Sequence, residues 1–373
     1  MWLTVGLFWL APPGWRDYVL MGLSLMFLAL ISPISTLLLV GFFGIVHGAV
    51  NVAQPVLRHV VIATCIIVAT LIAFKIRQAM SISGTATLLE AVAIPLGLSY
   101  YTFRCVAFLI ERYKGRIGPT RWRDLAAFLF FLPTFVVGPI HRFDSFLADR
   151  RRHRFDTGLM SMGAERIILG YAKIVLLGNV LTGEIMGGWI AGLDRPDGLL
   201  ALYLGIVRDG INLYVQFAGH CDIAIGFAAL LGFRIMENFD NPYFKPNLQA
   251  FWQSWHISLS RWCRDYIYTV VVARSRSPAL GVLATMIVIG LWHEISLRFV
   301  LWGAWHGGGL IIWQQFQRVR QASTLTIPSA LRGPLYVLSM LLTVHFVWLG
   351  FVILTAPSFA TVLDRVSLAI GGN

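Results

Sequence analysis

Apolar runs recur along almost the whole chain, and they constrain its fold more than any motif does. They cover Tyr18–Ser32, Ile34–Val50, His59–Phe74, Ala86–Ile110, Ile167–Ile190, Leu199–Gly232, Ala279–Trp292, Phe299–Trp313 and Leu335–Ala356. In a bilayer, backbone that is not helical must be buried in protein or line a water-filled cavity, so these runs read as helices. The expected fold class is all-α: a polytopic integral membrane protein of about nine to eleven transmembrane helices, with re-entrant or interfacial helices among them. Several runs are shorter than the roughly 20 residues a crossing needs, and must tilt, thin the bilayer or stop part-way. Pro33 separates the first two runs, and Pro95 with Gly97 is expected to kink the fourth.

Composition closes off the soluble alternatives. Of 373 residues, 57% are hydrophobic and 13% charged, against about 25% charged in a soluble domain. No internal repeat is visible, and residues 1–373 read as a single polytopic domain. The first ten residues are apolar but lack a basic start and a small-residue cleavage pattern, so they are not read as a signal peptide. They are too short to span, and are expected to be an interfacial segment or what is left of a longer first helix. The four cysteines (Cys65, Cys105, Cys221, Cys263) sit in apolar segments without paired spacing, as packing residues and not as a metal site or disulfide framework.

The net charge of +12 is a matter of topology and not of nucleic-acid binding. Arginines cluster in short loops, as the positive-inside rule expects of cytoplasmic segments. One cluster is Arg112, Lys114, Arg116, Arg121 and Arg123; the next is Arg142, Arg150–Arg152 and Arg154. Arg261, Arg264, Arg274 and Arg276 mark a third, and Arg318, Arg320 and Arg332 a fourth, whereas Lys75 and Arg77 break the alternation. Between the first two clusters lies Leu125–Ile140, containing FFLPTFVVGPI, which reads as a re-entrant hairpin or as a buried or surface-lying helix pair. Arg142 and Arg150–Arg154 serve topology first, and are also placed to dock an acidic carrier or the phosphates of a coenzyme.

Chemistry concentrates between Asn238 and Gly309, where ionisable side chains interrupt the apolar pattern at a cost that marks functional candidates. On a continuous helix over Trp252–Tyr266, residues Trp252, Trp255, His256, Leu259, Cys263 and Tyr266 would share one face. Ser254, Ser258, Arg261 and Asp265 would share the other, with Arg261 and Asp265 spaced for an ion pair. Such a helix would lie at the cytoplasmic interface. The run Ala279–Trp292 carries His293 roughly 21 Å from that loop, deep in a hydrocarbon core about 30 Å thick. Glu294, Ser296 and Arg298 follow, and then Trp302, Trp305, His306, Gly309 and Trp313 fall on one side of the resuming helix. A third polar group, QFAGHCD (Gln216–Asp222), puts His220 and Asp222 in an apolar run, either lining a cavity or satisfying each other. There is no G-x-S-x-G, no H-E-x-x-H and no phosphate-binding glycine loop. A histidine without a neighbouring nucleophile suits a general base acting on a substrate hydroxyl, since burial keeps the imidazole neutral.

These residues resemble the membrane-bound O-acyltransferase family, in particular its bacterial branch that acylates alginate and teichoic acid. The matching pieces are PLGLSYYTF (Pro95–Phe103), FLPTFVVGPIHRF (Phe131–Phe143), YVQFAGHCDIAIGFAALLGF (Tyr214–Phe233), NFDNPYF, FWQSWHISLSRWCRDYIY and GLWHEISLRFVLWGAWHG. The family-like core is residues 95–313. The resemblance implies helices around a central tunnel, with His293 of the G-[LF]-W-H pattern catalytic and His256 the second functional histidine. It implies substrate-binding roles for Trp252, Trp255, Trp292, Trp302, Trp305, His306, Asp222, Asn241, Arg264 and Asp265, and no metal. Two departures stand out: Glu294 follows the histidine where this branch has Gly, and His220 and Cys221 replace the usual tyrosine and serine.

The expected function is an O-acyltransferase of the inner (plasma) membrane, with His293 as general base and no bound cofactor. Its donor would be a cytoplasmic thioester, acyl-CoA or an acyl-carrier protein. Its acceptor would be a hydroxyl of an extracytoplasmic polysaccharide or cell-wall glycan, or a partner acyltransferase that finishes the transfer outside. Two rival readings use the same residues: a transporter or acyl-relay channel without its own chemistry, and a structural subunit in which His293 merely packs.

Overall fold

The computed structural model describes residues 1–50, 54–82, 95–152, 154–194, 198–323 and 328–355, with a few positions between 360 and 367. Residues 86–94 of the expected fourth span and Ala356 of the last lie outside them. The described residues are all-helical. In chain order the helices are α1 (Trp2–Leu10), α2 (Arg16–Ile31), α3 (Pro33–Val50), α4 (Leu57–Ile82), α5 (Leu98–Tyr113), α6 (Trp122–Leu129), α7 (Phe143–Arg151), α8 (Thr157–Ala172) and α9 (Gly187–Ala191). Then follow α10 (Leu199–Leu230), α11 (Leu248–Ser254), α12 (Ile257–Cys263), α13 (Thr269–Ser275), α14 (Pro278–His293), α15 (Leu297–Ala322) and α16 (Ser329–Thr355). The backbone widens to π geometry over Lys173–Met186, which joins α8 to α9, and over Arg264–Tyr268.

Five helical stretches are long and apolar enough to cross a membrane: Pro33–Val50, Leu57–Met80, Thr157–Ala191, Leu199–Leu230 and Ser329–Ile353. The chain is thus a multi-pass membrane protein. Pro278–His293 is apolar but shorter. Helix boundaries overrun the apolar runs where the flanking residues are good helix formers. Lys75, Arg77 and Gln78 simply continue α4, and α15 carries on through Gln314–Arg320. Pro95 and Gly97 stand directly before α5, which begins at Leu98; the part of the expected fourth span ahead of them, where a kink would be judged, lies outside the described residues. Gly97 adopts φ +76°, and a Cβ there would stand 2.6 Å from the Phe135 carbonyl oxygen, so only glycine fits.

By compactness the chain falls into two units, Met1–Gly170 with His220–Glu237, and Tyr171–Gly219 with Asn238–Asn373. The first is built round buried aromatic rings: Phe131 and Phe146 pack on Phe233 at 4.6 and 4.9 Å, and Phe128 packs on Phe143 at 5.4 Å. The segment Leu125–Ile140 consists of the end of α6, one tight turn and irregular chain, and every residue from Leu125 to Phe135 is buried. Wrapping in protein is what permits non-helical backbone in a membrane protein. Arg104 donates to the Phe128 carbonyl and lies 4.5 Å from that ring.

Arg150 on α7 grips Asp17 on α2 through two nitrogens and also pairs with Asp124 on α6. Burial alone would lower its pKa, but the two carboxylates outweigh it and raise the pKa above its ordinary value. Arg150 is therefore committed to a three-helix tie, while Arg151 and Arg152 are exposed.

In the second unit, α14 and α15 form an antiparallel hairpin with α16 against α15, and α11 also packs on α15. The hairpin closes tightly at Gly303, where a Cβ would meet Ile287 Cα and the Met286 oxygen at 2.7 Å.

Candidate active site

The site grows out of two places where a helix stops. Helix α14 starts from Ser277, whose hydroxyl accepts from Leu280 N at 3.2 Å, with Pro278 in the first turn. Sixteen residues later it ends at His293, a rise of roughly 24 Å. Glu294 is extended and turns the chain, Ser296 N donates to Glu294 O at 3.0 Å, and α15 begins at Leu297. Across this turn the Glu294 carboxylate is held by Arg298, through Nε to Oε1 at 3.1 Å and through Nη2 to Oε2. Arg298 also lies 5.2 Å from the Phe299 ring. The imidazole of His293 is exposed, and three rings surround it: Trp292 at 4.6 Å, Trp302 at 5.7 Å and Phe299, nearly parallel, at 5.9 Å.

The second stop overturns the expected continuous helix over Trp252–Tyr266. Helix α11 ends at Ser254, Trp255 is extended, and His256 takes a left-handed conformation (φ 43°) before α12 begins at Ile257. A left-handed non-glycine residue costs on the order of 1–3 kcal/mol, so its surroundings must impose it. Asn238 does so. It is fully buried, its Oδ1 accepts from Ser258 N (3.1 Å) and Ser258 Oγ (2.9 Å), and its carbonyl accepts from Ile257 N (2.9 Å). Asp240 N donates to Ser254 O at 3.0 Å beside it. Ser254 and Ser258, which the continuous helix would set on the face opposite Trp252, Trp255 and His256, are buried. Asn238 escaped the sequence reading because its role is to brace a break that no periodicity announces.

His256 is 4% exposed, and neither ring nitrogen has a hydrogen-bond partner. Burial, and then the proximity of His293, push its pKa down to about 3. Rings connect the two histidines and continue past them. His256 meets Trp292 at 6.1 Å, Trp292 meets His293, His293 meets Trp302, Trp302 meets His306 at 4.7 Å, and His306 meets Trp252 at 5.2 Å. His306 is fully buried with both nitrogens unpartnered, as are the indole nitrogens of Trp252 and Trp302. Buried polar groups normally find partners, so this concentration marks a place where something polar belongs.

The remaining expected site residues are spread more widely. Trp252 and Arg264 line a cavity of about 280 Å³ with Gln249, Gln253, Tyr268 and Gln314, and neither His256 nor His293 is on its wall. Trp255 is stacked between Phe251 (5.5 Å) and Tyr243 (5.9 Å). Trp305 stacks on Phe346 at 4.5 Å and donates its indole N–H to the Phe346 carbonyl. Asn241 is exposed and left-handed, ahead of the turn Pro242–Phe244. Asp265 pairs with its neighbour Arg264 at 3.1 Å. Asp222 belongs to the first unit, where Arg166 pairs with it at 2.9 Å and also reaches Glu237. Its counter-charge is thus Arg166, and His220 is exposed.

Comparison with known proteins converges on the same stretch. Residues 199–354 match the MBOAT, membrane-bound O-acyltransferase family. A probable alginate O-acetylase of Pseudomonas syringae is 33% identical over 332 residues, 83% of this chain and 63% of that protein. A teichoic acid D-alanyltransferase of Streptococcus thermophilus is 30% identical over 262 residues, 66% of this chain and 62% of that protein. A peptidoglycan O-acetyltransferase of Helicobacter pylori is 24% identical over 315 residues, 75% of this chain and 57% of that protein. The chain spans about half to two thirds of the length of these curated relatives. Both helix stops, with His256 and His293, fall inside residues 199–354, the stretch of this chain that matches the membrane-bound O-acyltransferase family.

Proposed function

We propose that this protein is an O-acyltransferase of the inner (plasma) membrane, moving an acyl group from a cytoplasmic thioester to an extracytoplasmic hydroxyl. One observation carries the reading: a succession of rings runs from buried His256 to exposed His293 and on to His306, edged by polar atoms that have no protein partner. In this reading one polytopic domain of about nine to eleven crossings surrounds a central tunnel, and the rings are part of its wall. The donor is an acyl-CoA or an acyl-carrier protein. The acceptor is a polysaccharide or cell-wall glycan, which is what the names of the relatives say of those proteins, or a partner protein that completes the transfer.

His293 ends a helix, so its ring is carried on a fixed backbone, flanked by Trp292, Phe299 and Trp302 yet exposed. As the acceptor hydroxyl oxygen attacks the thioester carbonyl carbon, a neutral His293 nitrogen removes the hydroxyl proton. The tetrahedral adduct collapses, the carbon–sulfur bond breaks, and the imidazolium returns the proton to the leaving thiolate. An ester and a free thiol result, and His293 is neutral again. His256 is an uncharged neighbour; it orients the donor and adds no second positive charge. The flanking indoles keep bulk water, a competing nucleophile, from the thioester.

The test is genetic and chemical. Mass spectrometry of envelope glycans from a deletion strain should show loss of one acyl substituent, restored by the wild-type gene and not by His293→Ala at equal protein level. Restoration by His293→Ala would favour the transporter or structural reading.

A further inference from the structure

Immediately beyond His293, the chain presents hydrogen-bond donors that the reaction above leaves unused. Glu294 occupies Nε and Nη2 of Arg298, which leaves the two N–H groups of Nη1. Nη1 is buried with no partner, on a side chain only 11% exposed. Ser296 Oγ is likewise buried and unpartnered. Ser296 is also the N-cap of α15 and makes no side-chain cap hydrogen bond. The first turn of a 26-residue helix therefore offers backbone N–H groups and the positive end of its dipole at the same place. A buried charged donor without an acceptor costs the full desolvation of that group. Here three sources of donors call for one kind of missing partner, an acceptor oxygen, while the Glu294 carboxylate is held by Nε and Nη2 of Arg298.

We infer that Arg298 Nη1, Ser296 Oγ and the first turn of α15 form a subsite for an anionic oxygen, carboxylate or phosphate, carried by the acceptor next to the hydroxyl that His293 deprotonates. The inference rests on the acyltransferase reading for the identity of that hydroxyl. Position supports it: the subsite lies at the end of α14 remote from Arg274 and Arg276, where an acceptor arriving from outside would first meet the protein. Glu294 orients the guanidinium and does not itself bind the acceptor.

Calorimetry on the full chain in nanodiscs tests this with three probes: a hexameric oligouronate, a hexameric glycerol phosphate and a neutral glucohexaose. The wild-type protein should bind one of the anionic oligomers at least about 10-fold more tightly than the neutral one, the range expected for a charge-assisted hydrogen bond. Whichever anionic oligomer is preferred identifies the group as carboxylate or phosphate. Arg298→Gln should abolish the preference and Ser296→Ala should weaken it. The double variant Glu294→Gln with Arg298→Gln keeps an amide pair across the turn and should abolish it too. A wild type without anionic preference, or a preference surviving both Arg298 variants, overturns the subsite. Acyl transfer measured on the same samples separates the two ideas. Preference without transfer leaves the subsite standing and removes the enzyme reading, whereas transfer without preference removes the subsite alone.

Discussion

His256 and His293 are the same side chain in opposite settings, one sealed among rings and one exposed at a helix end. The setting fixes what each can do. A histidine whose folded pKa is depressed to about 3 stays neutral through the physiological range, and folding is opposed once the unfolded chain begins to take up protons. Its contribution is fully present above the ordinary value of 6.5 and is lost as pH falls from there towards 3. His141, buried in the first unit and lowered to about 3 by burial and then by Arg104, acts in the same direction. Melting temperature should therefore fall between pH 6.5 and 4.5, and His256→Leu should make the fall shallower. A variant with the wild-type slope would show that His256 is not held neutral. Both histidines were legible as candidates because each interrupts an apolar pattern. Ser296 and Arg298 were visible as polar residues at depth, but that Ser296 Oγ and Arg298 Nη1 lack partners while Nε and Nη2 hold Glu294 depends on the folded turn, and spacing alone does not show that.

At the scale of elements, the site depends on backbone breaks that local pattern does not announce. The 3.6-residue period over Trp252–Tyr266 favours one helix, yet Asn238, 18 residues before His256, supplies hydrogen bonds that divide it. Asn238→Ala leaves Ser258 N and Oγ without that acceptor and should cost about 1–3 kcal/mol, read as a lower melting temperature together with loss of transfer. Unchanged stability would mean the break at His256 is intrinsic to its own sequence. The α14–α15 hairpin was legible from its apolar runs, from the polar residues between them and from the glycines of its second helix. Gly303→Ala places a methyl group 2.7 Å from α14 backbone atoms and should destabilise by about 1–3 kcal/mol through forced separation of the two helices. A neutral result would show that the hairpin is looser than its packing indicates.

For the molecule as a whole, apolar runs reveal that the chain enters a membrane but not how many times it crosses. α2 and α14 have 16 residues each, and the length of a helix does not say whether it stops at depth. Charge was informative in aggregate and misleading residue by residue. Arg150 belongs to a basic run that suits donor docking, yet it is spent on Asp17 and Asp124. Arg150→Gln should lower stability by about 2–4 kcal/mol, the cost of stranding two partly buried carboxylates. An effect confined to donor KM, with normal stability, would restore the docking role. The central claim, that His293 removes the acceptor proton, is tested most directly by single-turnover acyl transfer in nanodiscs with wild type and His293→Gln. Glutamine keeps size and hydrogen bonding but cannot serve as a base. The account predicts that the variant is folded, binds donor thioester with near wild-type affinity and transfers the acyl group about 10²–10⁴-fold more slowly. Transfer by that variant at the wild-type rate would contradict it.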